Sequence, residues 1–305
     1  MKDLIRIDLK YLVYSKLLLW ICLGASLCII VSMTMSYKFT KSSLDSYNNV
    51  YEYLVDIGAD IETEKNTDYV VYSNGTIENP LSYDIEQVED ALFYIHPKNS
   101  LTMFGEVCTL FFPIFAFIVG ILLVSYDEKN KTRKLKITNY GKIKYGCSKQ
   151  LSGILSITIV LVFSFIVMLI SSCIVYSIIK KNYSISMFII RDLNLKKYLF
   201  QLVFTLISTV FYFELGYYIC NIFHCYIFAV IFISLISFFL PALFKYDFIN
   251  VKNTIERKFF DFNGVVNIGK GFSLSIGVAV LEAMLFFVVF FIINYFVDKK
   301  RSAYQ

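Results

Sequence analysis

Histidine and tryptophan are scarce in this sequence, which has two histidines and one tryptophan among 305 residues. The histidines, His96 and His224, lie far apart, and no HExxH, nucleophile elbow or His/Cys cluster accompanies them. Hydrolytic or metal-assisted catalysis needs such groups held together. An intramembrane enzyme is therefore the least favoured of the functions weighed below, and we predict no catalytic and no metal-binding residues.

A complete nucleotide-binding loop is also missing. Residues 264–270 match the GxxxxGK start of a phosphate-binding loop, but Gly271 stands where that motif has the magnesium-binding Ser or Thr. No buried strand precedes the match. We therefore predict that this chain holds no cofactor and no ATP site of its own.

Paired cysteine motifs are the third absence. The seven cysteines include no CxxC pair and mostly fall within apolar runs; they are Cys22, Cys28, Cys108, Cys147, Cys173, Cys220 and Cys225. This usage is typical of small residues in a membrane core, and it indicates neither a disulfide framework nor a metal site.

Long apolar runs dominate the sequence instead. Hydrophobic residues make up 57% of it and the mean hydropathy is +0.62, which is more apolar than a typical soluble domain. Six runs have about the 20 residues that a membrane-spanning helix needs; they are 17–37, 107–126, 154–179, 198–220, 225–244 and 272–297. Because backbone groups must pair internally in hydrocarbon, and the strict alternation of barrel strands is missing, we predict an all-α integral membrane protein with six transmembrane helices.

Residues 1–16 are predicted to form an amphipathic interfacial helix. The apolar residues that share one face of it are Leu4, Ile5, Leu9, Leu12 and Val13. Such a helix, with its cations toward anionic lipid, suits the inner headgroup layer, although ordinary juxtamembrane charge explains the same pattern. The first run is longer than a signal-peptide core and no small-x-small cleavage site follows it, so we interpret it as a retained span.

The distribution of lysine and arginine predicts the orientation. Residues 1–16, 127–150, 221–224 and 298–305 carry 15 cations in roughly 55 residues, whereas the connections on the other side carry 14 in about twice that length. Because cytoplasmic loops are enriched in cations, we place both termini and the 127–150 loop on the cytoplasmic side of the membrane. We expect this membrane to be a bacterial plasma membrane.

Residues 38–104 form the largest connection and are predicted to fold as a small extracellular domain. They hold twelve acidic residues and four lysines, a net charge of −8, while the rest of the chain carries +13. Helical spacing predicts a helix that ends near Gly58 and a second helix before Pro97, with a hairpin around Asn74-Gly75 between them.

The acids and tyrosines of this domain suit a cationic, amphipathic ligand. Three acids that lie close together on the second predicted helix, Glu86, Glu89 and Asp90, are the candidates for substrate capture. Plain solvation of an outer domain explains the same charge.

Two further features concern the second half of the chain. Residues 245–271 are too apolar for a free loop and too interrupted for a span, so we predict short re-entrant helices on the outer side. Glu214 and Glu282 fall inside predicted spans, where acids are costly and normally face a cavity or a partner. They are candidates for lining a translocation route; structural hydrogen bonds to neighbouring helices are the alternative.

The 127–150 loop is the most basic short connection. Its cations are Lys129, Lys131, Arg133, Lys134, Lys136, Lys142, Lys144 and Lys149, and only Asp127 and Glu128 oppose them. Positive-inside charge alone accounts for such a loop. The order of its residues offers a second interpretation.

That order resembles the permease subunits of type-2 ABC exporters. In this family an acid after the second span is followed by Gly-Thr, a leucine, a Pro-x-Ser-Arg stretch and a lysine that opens the third span. The residues at corresponding places here are Glu128, Thr132, Leu135, Lys142 and Lys149. Lys131 replaces the glycine, and Asn139-Tyr140-Gly141 replaces the proline-containing turn. The interfacial helix, six spans, enlarged first outer loop and half-inserted helices also match the family's plan.

The resemblance implies a permease that dimerises, with itself or a relative, and is driven by two cytoplasmic ATPase subunits that hold ATP and magnesium. The five loop residues would then couple to the ATPase. The Phe- and Ser-rich spans and the acidic outer domain favour an amphipathic peptide cargo, such as a bacteriocin, that is exported or expelled for immunity. The alternative is a membrane sensor whose outer domain captures a ligand without transport. Membrane lipid is the remaining predicted partner, and no nucleic acid is expected.

Overall fold

The computed structural model describes residues 2–223, 231, 244–260 and 271–300. Nearly all of these residues are helical, and five of their helices are long and apolar enough to cross a membrane. The expectation of an all-α membrane protein is confirmed at this level. The predicted span 225–244 lies almost wholly outside the described residues, as do 261–270 and 301–305.

Ten α-helices, two short 3-10 helices (Pro97–Asn99 and Ile185–Met187) and one small hairpin are the regular elements of the described part of the chain. The helices are α1 (Lys2–Tyr14), α2 (Leu17–Asp56), α3 (Ile61–Asn66), α4 (Pro80–Ile95), α5 (Ser100–Lys129), α6 (Arg133–Tyr140), α7 (Lys142–Asn182), α8 (Leu195–Phe223), α9 (Phe248–Phe259) and α10 (Ile276–Lys300). Strands β1 (Val70–Val71) and β2 (Ile77–Glu78) pair antiparallel between α3 and α4.

Helix α2 is continuous through the predicted boundary between the first span and the outer domain. The change from apolar to polar composition after Tyr37 is not a helix stop, because no glycine or proline lies between that point and Gly58. The helix ends at Asp56, and Gly58 follows with φ +68°. The predicted end of this helix near Gly58 is confirmed. The first span and the first helix of the outer domain, however, are two parts of one continuous helix.

Helices α5 and α8 run parallel and pack most closely through two glycines. A Cβ atom on Gly120 would lie 2.5 Å from the carbonyl oxygen of Phe213, and one on Gly216 would lie 2.4 Å from that of Phe117. Small residues at a helix–helix contact let backbones approach, which favours association inside a membrane. This pair forms the centre of the described bundle.

The outer domain completes its core with residues from elsewhere in the chain. Its hairpin is confirmed, with Gly75 at φ +84° in the turn, and α4 is the predicted second helix. The buried side chains of this core are Leu44, Tyr47, Leu54, Leu81, Val88, Leu92 and Ile95 from the domain, joined by Ile179, Ile185 and Phe188. The last three come from the end of α7 and the segment that follows it. The outer domain therefore does not depend only on the core that its own residues can form. A segment of about 65 residues buries little apolar surface by itself.

Helix α9 is the described part of the predicted re-entrant pair. The Gln201 side chain of α8 donates a hydrogen bond of 2.7 Å to the carbonyl oxygen of Phe259, and the Lys252 ammonium donates one of 3.3 Å to that of Thr109 in α5. The short helix is therefore held against the half of α5 and α8 nearer the outer domain.

Candidate functional site

The structure divides the 127–150 loop into a short helix held between two long ones. Helix α5 continues to Lys129, α6 occupies Arg133–Tyr140 and α7 begins at Lys142. The two connections turn sharply: Lys131 has φ +57° and Gly141 has φ +82°. Helix α6 thus folds back toward the ends of α5 and α7.

Four buried charges of alternating sign lie beneath α6, and we call them the charge cluster. The Lys136 ammonium donates to Asp8 Oδ1 at 3.0 Å and to Asp127 Oδ1 at 2.8 Å. The Lys149 ammonium donates to Asp8 Oδ1 at 2.9 Å and contacts Asp127 Oδ2 at 2.8 Å. Each charge therefore contacts both charges of opposite sign, and the four side chains are at most 10% exposed.

Neutral hydrogen-bond donors and a second ion pair complete the surroundings. Thr132 Oγ1 donates to Asp127 Oδ1 at 2.7 Å, and the Tyr145 hydroxyl donates to Asp127 Oδ2 at 2.8 Å. Beside the cluster, Arg133 pairs with Glu128 at 3.1 Å. Asp127 consequently accepts from four side chains and is the centre of the arrangement.

The electrostatics of the cluster favour the charged form of Lys136. Burial acts to lower the pKa of Lys136, but hydrogen bonds to Asp127 and Asp8 and the negative charge of both carboxylates outweigh burial and raise it above its usual value. The four charges sum to zero. Removing one charge from such a set leaves another buried and uncompensated, at a cost of about 3–5 kcal/mol.

The cluster joins four segments that are far apart in sequence. Asp8 comes from α1, Asp127 from the end of α5, Lys136 from α6 and Lys149 from the second turn of α7. On α1, Leu4, Asp8 and Leu12 form the buried row, while Val13 of the predicted apolar face is exposed. The cluster therefore fixes α6 relative to α1 and to the two long helices.

Helix α6 exposes one large apolar side chain away from the cluster. Leu135 is 67% exposed, whereas Arg133, Lys136 and Ile137 of the same helix are buried. Lys142, in the first turn of α7, is half-buried. Of the five residues matched to the exporter pattern, Thr132 and Lys149 meet at the cluster, Glu128 lies in the adjacent ion pair, and Leu135 points away.

The three acids proposed for substrate capture each contact a different residue. Glu89 accepts a hydrogen bond of 2.9 Å from the backbone of Ile189, and Asp90 pairs with Arg191. Both acids thus fasten the 183–194 segment to α4. Glu86 and Glu89 both line an open cleft of about 380 Å³ together with Asp68 and Tyr69, and the Tyr69 hydroxyl donates a hydrogen bond to Glu86.

The two intramembrane acids are placed in different helices. Glu214 is buried in α8, and Glu282 is half-buried in α10 with one buried carboxylate oxygen that has no hydrogen-bond partner among the described residues. Within the described residues, no group of three His, Cys, Asp or Glu side chains is placed to hold a metal ion.

Three of the four members of the charge cluster were not predicted as site residues from the sequence. Asp8 lies four residues from both Leu4 and Leu12, so it falls on the apolar face of α1. An acid on the apolar face of a helix indicates a buried partner of opposite charge, and this signal could have identified it. Asp127 and Lys136 were counted only as loop charge.

No protein-family model, curated protein or solved structure matches this chain.

Proposed function

We propose that this chain is the membrane-spanning permease subunit of an ATP-driven exporter and that α6 is its coupling helix to a separate ATPase. The observation that carries the proposal is the two-sided construction of α6. One face is tied to α1, α5 and α7 through the buried charge cluster, and the other exposes Leu135. A helix built in this way can receive a push from a docked partner and pass it to three membrane-associated helices together.

The conformation of residue 131 supports the resemblance to type-2 ABC exporters. Lys131 stands where that family has glycine, and its φ of +57° lies in the left-handed region that glycine adopts most readily. The threonine and lysine of the pattern, Thr132 and Lys149, both contact Asp127. Residues matched by order alone thus have a shared physical role.

The remaining parts of the proposal follow from this role. Two ATPase subunits would supply ATP and magnesium, and a second permease copy or a relative would form the other wall of the pathway. Both termini and α6 would lie on the cytoplasmic side of a bacterial plasma membrane. The favoured cargo is an amphipathic, cationic peptide, with the cleft lined by Glu86 and Glu89 as the capture position, since Asp90 is paired with Arg191. Lining of the pathway by Glu214 and Glu282 remains part of the proposal.

The same cleft favours a second candidate function, a membrane sensor that binds a ligand without transport. The two functions differ in whether an ATPase binds at α6. Wild-type protein that co-purifies with no ATPase and still binds a cationic peptide would support the sensor.

Replacement of Leu135 by Asp tests the coupling role. We expect Leu135→Asp to reduce co-purification of the ATPase at least tenfold while the permease inserts and folds normally, because a carboxylate buried without a partner at the docking surface is expensive. The measurement is the ratio of ATPase to permease after affinity purification from membranes.

Val71→Asp is the matched control, because Val71 is also an exposed aliphatic residue but lies in the outer hairpin. It should leave ATPase binding unchanged. Equal ATPase recovery with Leu135→Asp and wild type would show that α6 is not the docking element.

A further inference from the structure

Cations and acids are segregated by height on the outer side of the protein. Three of the four lysines in residues 38–104 lie at its membrane-proximal base, and the segment 180–197 adds five cations against one acid. We call these eight residues the basic collar; they are Lys38, Lys41, Lys98, Lys180, Lys181, Arg191, Lys196 and Lys197. The segregation explains why raw cation totals on the two sides of the membrane hardly differ.

The fold brings the parts of the basic collar together. The Asn99 side chain donates a hydrogen bond of 3.0 Å to the carbonyl oxygen of Arg191, which joins the start of α5 to the segment before α8. The Tyr183 hydroxyl donates one of 2.6 Å to Asp45, which joins the end of α7 to α2 one turn above Lys41. The basic collar therefore combines residues from α2, from the ends of α7 and of the segment before α5, and from the start of α8.

Internal pairing accounts for only part of this charge. Arg191 pairs with Asp90, and Lys98 lies 3.8 Å from Asp192, with both of the latter side chains more than 70% exposed. Five other members of the collar are exposed; they are Lys38, Lys41, Lys180, Lys181 and Lys196. A surplus of positive charge consequently faces outward at the level where the apolar spans end.

Exposed apolar side chains are interleaved with these cations. Ile189 is 72% exposed and Leu195 is 74% exposed, and Met187 on the same segment is more than half exposed. Cations alternating with large apolar side chains beside the ends of membrane spans are typical of a surface that lies in the lipid headgroup region. Water alone would not favour exposure of these apolar groups.

We propose that the basic collar binds the phosphate-bearing headgroups of anionic phospholipids in the leaflet that faces the outer domain. The lysines contact the headgroup phosphates, while Met187, Ile189 and Leu195 enter the acyl region. An anionic lipid fits better than an acidic protein, because the apolar groups and the charges occur together at the membrane boundary. The proposal does not depend on the exporter function.

Lipid retention by the full-length chain tests this proposal. The protein is reconstituted in vesicles of equal phosphatidylglycerol and phosphatidylcholine, re-extracted in neutral detergent, and its bound lipids are quantified by mass spectrometry. We expect phosphatidylglycerol to be enriched at least threefold in wild type, and the variant Lys180→Gln/Lys181→Gln/Lys196→Gln/Lys197→Gln to lose at least half of that enrichment. Raised salt should weaken the enrichment, since the attraction is partly screened.

The matched control replaces the same four lysines by arginine, which keeps the charge and should keep the enrichment. Inorganic phosphate added during extraction distinguishes a lipid surface from a phosphate site: displacement of phosphatidylglycerol by phosphate at millimolar concentration would overturn the lipid assignment. Retention of full enrichment by the glutamine variant would also overturn it. If that variant does not fold, the two double variants, at 180/181 and at 196/197, should each lose part of the enrichment. The proposal is contradicted if both double variants keep the full enrichment.

Discussion

Lys149 shows how one side chain can connect a sequence pattern to a mechanism. Its ammonium lies between Asp8 and Asp127 at 2.9 and 2.8 Å, and its side chain is only 1% exposed. A long lysine buried in this way is stable only if its charge is matched, and two carboxylates with a second lysine provide that match. The residue that opens the third span in the exporter pattern is thus part of a neutral, buried set.

Replacement of Lys149 by Met should destabilise the protein strongly. It leaves two carboxylates facing one ammonium, and we expect a loss of about 3–5 kcal/mol in the free energy of unfolding. Adding Asp8→Asn restores neutrality, so the Asp8→Asn/Lys149→Met double variant should recover much of that loss. Thermal unfolding in detergent measures both effects.

Lys144→Met is the control for this prediction, since Lys144 is an exposed lysine on the same helix; it should change stability by less than about 0.5 kcal/mol. A double variant no more stable than Lys149→Met would argue against the importance of charge balance.

Helix α5 contains an interior proline whose consequence is visible at a neighbouring element. Pro113 has no N–H, so the carbonyl oxygen of Thr109, four residues earlier, receives no helical hydrogen bond. The Lys252 ammonium of α9 lies 3.3 Å from that oxygen and 3.5 Å from the Glu256 carboxylate of its own helix. The hydrogen bond missing within α5 therefore leaves a carbonyl oxygen to which α9 binds.

A double-mutant cycle tests this attachment. Lys252→Met with Glu256→Gln removes the pair without leaving a lone charge, and we expect it to destabilise the wild type because the Thr109 carbonyl is then buried without a donor. In a Pro113→Ala background the helix supplies an N–H to that carbonyl, so the same change should cost about 1–3 kcal/mol less. Additivity within about 0.5 kcal/mol would contradict the attachment.

At the scale of the whole molecule, the described residues separate into two polar ends joined by long helices. One end contains α1, α6 and the charge cluster; the other contains the outer domain, the basic collar and the 183–194 segment. This grouping matches the grouping of loops made from sequence. Which end faces the cytoplasm is a prediction from cation density.

Cysteine labelling tests the orientation. In a background whose native cysteines are replaced, Asn74→Cys in the outer hairpin should react with a membrane-impermeant maleimide on intact cells, and Asn139→Cys on α6 should react only after permeabilisation. Both positions are exposed, so reactivity depends on sidedness and not on burial. The reverse pattern would invert the orientation and place α6 beyond the reach of any cytoplasmic ATPase.

Local patterns predicted the elements of this fold well. Hydropathy located the four spans from 17–37 to 198–220 and the last one, because backbone pairing in hydrocarbon leaves few alternatives. Turn chemistry located the hairpin at Asn74-Gly75 and the helix end at Gly58.

Only Lys149 of the charge cluster was predicted from the sequence, because the members of the cluster meet through tertiary structure. Asp8 and Lys149 are 141 positions apart along the chain, and no spacing rule joins residues at that separation. Glu86, Glu89 and Asp90 could be placed on one helix from sequence, but the contacts that Glu89 and Asp90 make with another segment could not be predicted. Those contacts come from Ile189 and Arg191, a hundred residues away.

Helix α2 is long and continuous, so a small change in its tilt corresponds to a large displacement of its far end. Forty residues at 1.5 Å each make a rod of about 60 Å, and its inner end meets α1 at Lys16, one short turn from the helix that carries Asp8. A tilt of about 10° at that end would carry the far end of the rod sideways by about 10 Å. Helix α7, 41 residues long and packed beside α2, is a second rod fastened to the same outer domain. A small rotation at the α6 end, if both rods moved rigidly, would therefore displace the outer domain several times as far as the inner end.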